Sequence, residues 1–417
     1  MTRDAVAVVA DDLTGAGDCV VQFARAGWPG HLVLGTEQPD PELPDPELPD
    51  REQPDPDGAA LAVVTDARPL ADDDAARATA GAVGALADAG AARLYVKIDS
   101  TMRGSVAGQV AGALSAWRTR QPGAFAVVCP SYPALGRTVR DGVLLVDGTP
   151  VADSPAGRDP VTPVHRSDLT ALLPGSVRVE AAGPDAAELA ARLAAAGRTH
   201  DALVVDAADD AALDLLAEAV ALLGPLAVPV GSAGLAAALA ARWAAPTAQD
   251  APPATPVDRV LVVLSSLHEI ALRQAEELVA AEPRTRVVEA GSGLVEPAPT
   301  VLVRTPAPAE GAPRRDGAAR AAADLADTVA AAVAEDRPDA LVLVGGDGAR
   351  AVLARLGARS VHVTGSVAEG VPVGRLVGGP ADGTVVVTKA GGFGTPRTVV
   401  DVLATLRSYC SHQEVTP

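Results

Sequence analysis

Short apolar runs alternate with longer amphipathic segments over the first half of the chain. The apolar runs predict strands at 6–10, 31–34, 61–65, 93–98, 124–129, 203–206 and 226–230. The segments between the early runs predict helices at 17–26, 73–89 and 106–119. A regular alternation of strand and helix is typical of a largely parallel sheet with helices on its faces. This pattern predicts an α/β domain.

A second α/β region follows a stretch rich in Pro and Ala. Its apolar runs predict strands at 259–265, 340–344, 361–363 and 384–388. We therefore predict a first domain over 1–245, a linker over 246–257 and a second domain over 258–417. Both should be α/β domains with largely parallel sheets flanked by helices, and ligands of such proteins usually bind in the interdomain cleft.

Two proline-rich stretches interrupt the pattern. Residues 39–57 contain PDPEL twice in tandem, and residues 305–316 form a second stretch of prolines and charges. Proline blocks helix and ladder, and repelling carboxylates keep a chain extended. We predict a disordered surface insertion without chemistry at 39–57 and a loop at 305–316.

The composition limits the class of partner. Hydrophobic residues make up 48% and aromatic residues 2%, so the core must consist of Ala, Val and Leu. The 34 basic and 53 acidic residues give a net charge of -19, which argues against nucleic acid or an anionic membrane as partner. An anionic small molecule needs only a local basic pocket.

Cysteine usage and the N-terminal sequence indicate the compartment. Cys19, Cys129 and Cys410 form no CxxC pair and are typical of reduced thiols in the cytosol. The N-terminus lacks a signal-peptide pattern, and no apolar run reaches the roughly 18 residues that a membrane helix needs. We predict a cytoplasmic protein without membrane contact. Its Ala-rich helices are compatible with a homodimer.

Two charged motifs follow predicted strands of the first domain. ADDLTGAGD places Asp11 and Asp12 at the end of the first strand, where ligands of open α/β sheets bind, although the same aspartates could instead cap the next helix. KIDSTMRGS brings cations, hydroxyls and a carboxylate to another strand end, with Arg103 as a bidentate clamp for a carboxylate. The candidate residues of this second motif are Lys97, Asp99, Ser100 and Arg103. In the loop-rich stretch 129–151, Arg137 is the candidate substrate contact.

Two glycine-rich turns follow predicted strands of the second domain. They are LVLVGGDGA and TKAGGFGTP, whose candidate residues are Gly345, Gly346, Asp347, Gly348, Lys389, Gly391, Gly392 and Gly394. Backbone N–H groups in such turns can bind phosphates. Two such turns in one domain favour a nucleotide site, and phosphoryl transfer needs this kind of positioning and charge neutralisation. The histidines show no ligand spacing, so we expect no structural metal, only Mg²⁺ accompanying ATP.

In their order along the chain, these motifs resemble the four-carbon acid sugar kinase family, which includes D-threonate, D-erythronate and 3-oxo-tetronate 4-kinases. The residues that carry the resemblance are ADDLTGAGD, KIDSTMRG, CPSYPALGRTVRDG with VDGTPV, VGSAGLAAAL, GGDGA, VPVGRL and TKAGGFG. The resemblance covers almost the whole chain. It implies an N-terminal domain that binds a sugar acid, a C-terminal domain that binds ATP, and phosphorylation of the 4-hydroxyl.

The resemblance also implies roles for single residues. Asp12 would be the base near the attacking hydroxyl, with Asp99 as the second candidate. Where the family usually has a GSxS turn, this chain has Ser265 to His268, so Ser266 and His268 become candidate ATP contacts. Gly348 also departs from the hydroxyl or apolar residue that is usual in the family.

Other classes make different predictions. An NAD(P)-dependent sugar-acid dehydrogenase should show GxGxxG followed by an acidic residue, and neither half does. A ribokinase-like kinase carries its GAGD motif late in the chain, whereas Gly15 to Asp18 lie at the start. A sugar-acid sensor that kept the fold but lost turnover is a third interpretation, and the changes at Ser265 to His268 and at Gly348 are compatible with it.

Overall fold

The computed structural model describes residues 5–34, 58–159, 161–181, 185–243, 257–293, 297–306 and 314–408. The predicted insertion at 39–57 lies outside the described residues, as do Cys410 and all of the predicted linker except Val257. The predicted loop at 305–316 is described only at its two ends.

The chain divides into two compact α/β units, as the strand and helix pattern predicted. The first contains Met1–His31 and Pro39–Gln249, and the second contains Leu32–Gln38 and Asp250–Pro417. Each has a sheet with helices packed against it.

The first unit is built on a parallel sheet. Its strands are β1 (Ala5–Ala10), β2 (Gly30–Val33), β3 (Ala60–Val64), β4 (Ala91–Lys97), β5 (Phe125–Cys129), β6 (Arg137–Arg140), β7 (Val143–Val146), β8 (Thr149–Pro150), β9 (Val177–Val179), β10 (Ala202–Val205) and β11 (Ala227–Gly231). The order across the main sheet is β2-β3-β1-β4-β11-β5-β10-β9, with parallel pairing from β3 to β9. Strands such as β1 are buried along their whole length, as expected for a sheet covered on both faces.

The helices of the first unit are α1 (Leu13–Arg25), α2 (Asp72–Asp88), α3 (Val106–Trp117), α4 (Leu169–Leu172), α5 (Ala186–Gly197), α6 (Asp210–Leu223) and α7 (Ala233–Ala240). The predicted helix start at Gly17 was wrong. Helix α1 begins four residues earlier because the Asp12 side chain accepts a hydrogen bond from the Gly15 N–H and caps it. Gly15 and Gly17 therefore lie inside the helix.

Helices α2 and α3 pack with their backbones in close contact. A Cβ added at Gly108 would lie 2.8 Å from the Cα of Asp72, and one added at Gly112 would lie 2.8 Å from the Cα of Ala76. A side chain at either glycine would force the helices apart, so only glycine permits this contact.

A three-stranded antiparallel sheet, in the order β6-β7-β8, interrupts the alternation between β5 and β9. The turn between β7 and β8 lies at Asp147 and Gly148. The turn between β6 and β7 is held by Asp206, which accepts hydrogen bonds from the N–H groups of Asp141 and Gly142 at 2.9 Å.

The second unit combines parallel strands with an antiparallel hairpin. Its strands are β12 (Val260–Leu264), β13 (Arg286–Glu289), β14 (Thr300–Arg304), β15 (Ala340–Val344), β16 (Ser360–Ala368), β17 (Val371–Val377) and β18 (Val385–Lys389). The order is β13-β14-β12-β15-β18-β17-β16, antiparallel from β18 onward. The strand predicted at 361–363 is thus one arm of a longer hairpin. Only its start was predicted, because β16 and β17 alternate between buried and half-buried residues and lack the continuous apolar runs of the parallel strands.

The helices of the second unit are α8 (Glu269–Ala281), α9 (Arg314–Glu335), α10 (Gly346–Arg355) and α11 (Thr398–Ser408). Valines and leucines of the central strands form a core with α8 and α11. This core supports the ends of β12, β15 and β18.

Candidate active site

Three neighbouring strands of the first unit end in charged side chains. β1 lies between β3 and β4, and all three are parallel, so the segments that follow them meet at one edge of the sheet. Asp11 and Asp12 directly follow β1, while Lys97 is the last residue of β4. The side chain of Asp11 is fully buried, whereas that of Asp12 is 23% exposed.

Arg68, which follows β3, lies at the centre of this group and was missed by the sequence analysis. Its Nε and Nη2 donate to the two oxygens of Asp11 at 3.0 and 2.9 Å, and its Nη1 donates to Asp12 Oδ2 at 3.0 Å. Arg68 Nη2 also lies 3.9 Å from Asp99 Oδ1. The segment TDARP gave no pattern beyond that of an ordinary loop.

Lys97 lies beneath the first turn of α1. Its ammonium donates to the Ile98 carbonyl at 2.8 Å, and the residue is 5% exposed. A Cβ at Gly15 would lie 2.7 Å from Lys97 Nζ and 2.5 Å from Asp12 Oδ1. Glycine at this position therefore lets the cation and the capping carboxylate approach the same turn.

Asp99 and Arg103 form an ion pair in the loop after β4. Arg103 donates from Nε to Asp99 Oδ2 at 3.0 Å and from Nη2 to Oδ1 at 2.8 Å, and Thr101 donates to the same carboxylate. Arg103 Nη1 donates to Asp159, a second residue that the sequence analysis missed, at 3.0 Å. The predicted carboxylate clamp of Arg103 is thus occupied by protein carboxylates.

The environment separates the pKa values of the adjacent carboxyl groups. Burial raises the pKa of Asp11 despite its pairing with Arg68. For Asp12 burial acts in the same direction, but the cations of Arg68 and Lys97 outweigh it and lower the pKa. Burial is likewise outweighed at Asp99, where Arg68 and Arg103 hold the pKa well below its ordinary value. Of the adjacent pair, Asp12 has the lower pKa and the more accessible side chain.

The remaining predicted residues of the first unit lie nearby or on another element. Ser100 is half-buried between Asp99 and Thr101. Arg137 begins β6, in the small antiparallel sheet, and its Nη1 donates to the Leu135 carbonyl. Its Nε is buried and has no hydrogen-bond partner within the described ranges. Asp18 lies within α1, half-buried.

In the second unit, three neighbouring strands lead into turns that contain serine or glycine. The turn Ser265 to His268 follows β12, the Gly345 turn follows β15, and Lys389 ends β18. Backbone bonds connect these ends, since Ser265 N–H donates to the Val344 carbonyl at 3.0 Å and Gly345 N–H donates to the Lys389 carbonyl at 2.9 Å. The predicted glycine turns therefore lie side by side.

His268 caps helix α8. Its Nδ1 accepts a hydrogen bond from the Ile270 N–H at 3.2 Å, so the ring proton of the neutral imidazole resides on Nε2. The ring is exposed and lies against the second glycine loop, because a Cβ at Gly392 would be 3.1 Å from its Nε2. A Cβ at Gly391 would overlap Ser266 Oγ.

Ser265 and Gly348 lie against each other. A Cβ at Gly348 would overlap the Cβ of Ser265. Gly345 has a φ of 110° and also lies against the Ser265 side chain. Ser265 therefore occupies the space that a side chain at position 348 would fill.

Lys389 is 2% exposed, and its ammonium donates to the carbonyls of Ala390 and Phe393 at 2.7 Å. Gln274 on α8 donates to the carbonyls of Phe393 and Thr395 at 3.0 and 2.8 Å. These two side chains hold the loop that contains Gly391, Gly392 and Gly394. Burial lowers the pKa of Lys389 to about 8.

Helix α10 begins without a side-chain cap, so its first N–H groups have no partner within the helix or from the N-cap side chain. The N-cap residue is Gly345, and the exposed Asp347 lies in the first turn beside Gly346. Uncapped helix N-termini favour anions.

Comparison with known proteins agrees with this division. Residues 6–239 match the profile of a sugar-binding N-terminal domain, and residues 266–399 match that of a nucleotide-binding C-terminal domain. The D-threonate kinase of Bordetella bronchiseptica is 42% identical over 96% of this chain and 97% of its own length.

Solved structures give the same result for the fold. A Bordetella bronchiseptica domain of unknown function, a domain-swapped dimer with bound citrate, is 39% identical over 97% of this chain and 98% of its own, with a TM-score of 0.50. A Salmonella typhimurium protein matches with a TM-score of 0.76 over 96% of this chain and 99% of its own. At 22% identity, this second likeness establishes the fold alone.

Relatives named as kinases over nearly the whole chain, together with a sugar-binding and a nucleotide-binding domain, support a phosphotransferase. The chain belongs to the four-carbon acid sugar kinase family. The resemblance found in the sequence is thereby confirmed.

In the part of the chain that the structure describes, no helix combines the length and apolarity needed to cross a bilayer. Within the same residues, no group of three or more His, Cys, Asp or Glu side chains is arranged to hold a metal ion.

Proposed function

We propose that this chain transfers the γ-phosphoryl group of ATP to the terminal 4-hydroxyl of a four-carbon sugar acid such as D-threonate. The observation that carries the proposal is the cluster of Asp12, Arg68, Lys97, Asp99 and Arg103 at adjacent strand ends. It combines acceptors for hydroxyl groups with cations for a carboxylate. The family's D-threonate, D-erythronate and 3-oxo-tetronate kinases support the substrate class.

In the proposed reaction Asp12 accepts a hydrogen bond from the attacking hydroxyl and takes its proton as transfer proceeds. An ionised, exposed carboxylate suits this role. Asp99 suits it less well, because its side chain is 10% exposed, less than half the exposure of Asp12. Asp11 suits it least, since its side chain is buried.

The acid's carboxylate would pair with the partly exposed guanidinium of Arg103, with Ser100 and Arg137 as further contacts. Arg103 is 32% exposed, and its ties to Asp99 and Asp159 fix its plane. A fixed guanidinium loses little conformational freedom on binding. The citrate held by the Bordetella relative, a hydroxylated carboxylic acid, supports a site for such ligands.

ATP would bind at the strand ends of the second unit. The open N–H groups at Gly346 to Gly348 and the loop at Gly391 to Gly394 offer donors to phosphate oxygens, with Ser266 and His268 alongside. Mg²⁺ would arrive with ATP, held by phosphate oxygens and water, and Asp347 is the exposed carboxylate that fits it. Lys389 would act by shaping the loop, because its ammonium bonds to loop carbonyls.

The test is ADP release by the purified protein with MgATP and a panel of threonate, erythronate and oxo-tetronate isomers. At least one acid should support turnover, and phosphorus NMR should place the new ester on the terminal carbon. Arg103→Ala should abolish turnover and leave nucleotide affinity nearly unchanged. Acid binding without ADP release would instead indicate a non-catalytic relative. If the protein neither binds an acid of the panel nor releases ADP, four-carbon sugar acids are excluded as its substrates.

We also propose a homodimer in the cytoplasm. The support is the domain-swapped dimer formed by the 39% identical relative. Light scattering coupled to size exclusion should give twice the chain mass of 41.7 kDa.

A further inference from the structure

We propose that Arg68 is the positioning residue of the sugar-acid site, which rests on the proposed kinase function. Its guanidinium holds Asp12 as an oriented acceptor for the substrate hydroxyl, and Asp11 acts only by holding Arg68. Neither role was visible in the sequence motifs, which placed Asp11 among the substrate contacts.

The first support is the geometry of the guanidinium. Arg68 forms a bidentate pair with Asp11 through Nε and Nη2, which fixes its plane. From that plane Nη1 reaches Asp12 Oδ2 at 3.0 Å and Nη2 lies 2.8 Å from Oδ1. Asp12 also receives hydrogen bonds from Thr14 and Gly15 at 2.7 and 2.8 Å, so both its oxygens are directed by the protein.

The second support is the difference in exposure between the two carboxylates. Asp11 has no exposed side-chain surface, whereas Asp12 is 23% exposed. A ligand in this conformation meets Asp12 and not Asp11. Asp11 therefore does not contact the ligand, and its hydrogen bonds in this cluster go to Arg68.

The third support is a glycine that makes room for Arg68. Gly104 has a φ of 87°, and a Cβ there would lie 2.6 Å from the Arg68 carbonyl oxygen and 2.8 Å from its Cγ. The loops that follow β3 and β4 thus touch at Gly104. A substitution at Gly104 therefore displaces Arg68 without changing any charge.

The charges around Asp12 make the proposal measurable by pH. The groups that face it are Asp11 from the end of β1, Arg68 from the loop after β3, Lys97 from β4 and Asp99 from the next loop. Burial acts to raise the pKa of Asp12, and Arg68 is the largest opposing influence. Without Arg68 the pKa of Asp12 must rise, and the acidic limb of kcat/KM must move to higher pH.

The experiment compares Arg68→Gln and Arg68→Lys with the wild type, using kcat/KM for the best acid over a range of pH. Arg68→Gln should lower kcat/KM by about 100-fold or more, as loss of a positioned ionic group does. Its acidic limb should shift upward by at least about one pH unit. Arg68→Lys keeps the charge, so its limb should stay near that of the wild type although its rate falls. A loss that is equal at every pH, or no loss, overturns the proposal.

A second pair of variants covers the case in which Arg68→Gln fails to fold. Gly104→Ala should reproduce most of the rate loss by displacing Arg68. Gly123→Ala is the matched control, because Gly123 has a similar φ of 84° and its added Cβ would meet nothing within 4 Å. If the two alanine variants have equal activity, the contact with Arg68 is irrelevant and the proposal is wrong.

The two proposals fail in different ways. If the wild type releases no ADP with any acid but binds one, the kinase function fails, and calorimetry of acid binding by Gly104→Ala and Gly123→Ala still tests Arg68. If the wild type turns over and the Arg68 variants match it, only the role of Arg68 fails. If the wild type binds no acid, both are overturned.

Discussion

The two units differ in the residues that follow the carboxyl ends of their strands. In the first, the ends of β3, β1 and β4 bring charged side chains together around Arg68. In the second, the ends of β12, β15 and β18 bring together backbone and glycine. Ion pairs hold the first region together, whereas close packing against glycines shapes the second.

This difference changes how each region should respond to substitution. Removing a charge from the first region leaves its partners buried and unpaired, which costs far more than the lost contact. Adding one methyl group to the second region displaces a neighbouring turn. The predictions below use these two kinds of change, starting with the largest expected effect.

Asp12→Ala should lower kcat by about 10²- to 10⁴-fold, because it removes the proposed base and its charge. Nucleotide affinity, measured by calorimetry, should remain within about twofold of the wild type. Asp209→Ala is the control, since Asp209 caps α6 through the Ala212 N–H just as Asp12 caps α1. Loss of the cap should cost each variant about 1 kcal/mol of stability, and Asp12→Ala should lose more because Arg68 and Lys97 lose a charge partner. Only Asp12→Ala should lose activity. Equal activity in the two would contradict the assignment.

Gly391→Ala should weaken nucleotide binding by about 10- to 100-fold, because the new Cβ would displace Ser266 in the turn proposed to bind phosphate. Acid binding should stay unchanged. Gly365→Ala in β16 is the control, as its Cβ would meet nothing within 4 Å. A loss of acid affinity in Gly391→Ala would break the division between the two regions.

Lys389 should make the stability of the nucleotide-binding unit depend on pH. Burial lowers its pKa from 10.5 to about 8, so between these values the unfolded chain binds a proton that the folded chain lacks. The free energy of unfolding contributed by Lys389 should therefore rise by about 3 kcal/mol from pH 8 to pH 10.5. Chemical denaturation of the wild type and of Lys389→Met across this range isolates the contribution. A difference between the two proteins that does not change with pH would refute the prediction.

Gly348→Ala should destabilise the second unit by about 1–3 kcal/mol, since its Cβ overlaps that of Ser265. Adding Ser265→Gly should recover most of this loss, because it frees the same space. Thermal unfolding of both single variants and the double variant measures the coupling. Additive effects would show that the two positions do not share space.

The sequence predicted the fold well where one physical signal dominates. Continuous apolar runs such as Leu341 to Val344 are typical of strands buried on both faces, and they were assigned correctly. The hairpin of β16 and β17 was largely missed because half-buried strands carry a weaker, alternating signal. The start of α1 was missed because its first five residues contain two glycines, which are weak helix formers, while the Asp12 cap was the stronger signal.

The candidate sites show the same contrast. Both glycine turns were found because glycines directly after a strand form a local pattern. Arg68 was missed because its partners Asp11 and Asp12 lie 57 and 56 residues away, and Asp159 was missed because it lies 56 residues from Arg103. Pairing between distant charges is decided by strand order, which the local sequence does not encode.

The Asp12 side chain has two roles, one structural and one proposed for catalysis, which in most proteins belong to different residues. It begins helix α1, and it presents the carboxylate proposed for chemistry. Asparagine or serine would still satisfy the helix, so a lineage that abandoned catalysis could keep the fold with either residue. On the proposed assignment, a relative with asparagine or serine at this position keeps the helix cap but lacks the base needed for turnover. The identity of this one residue can be read in any relative from its sequence alone.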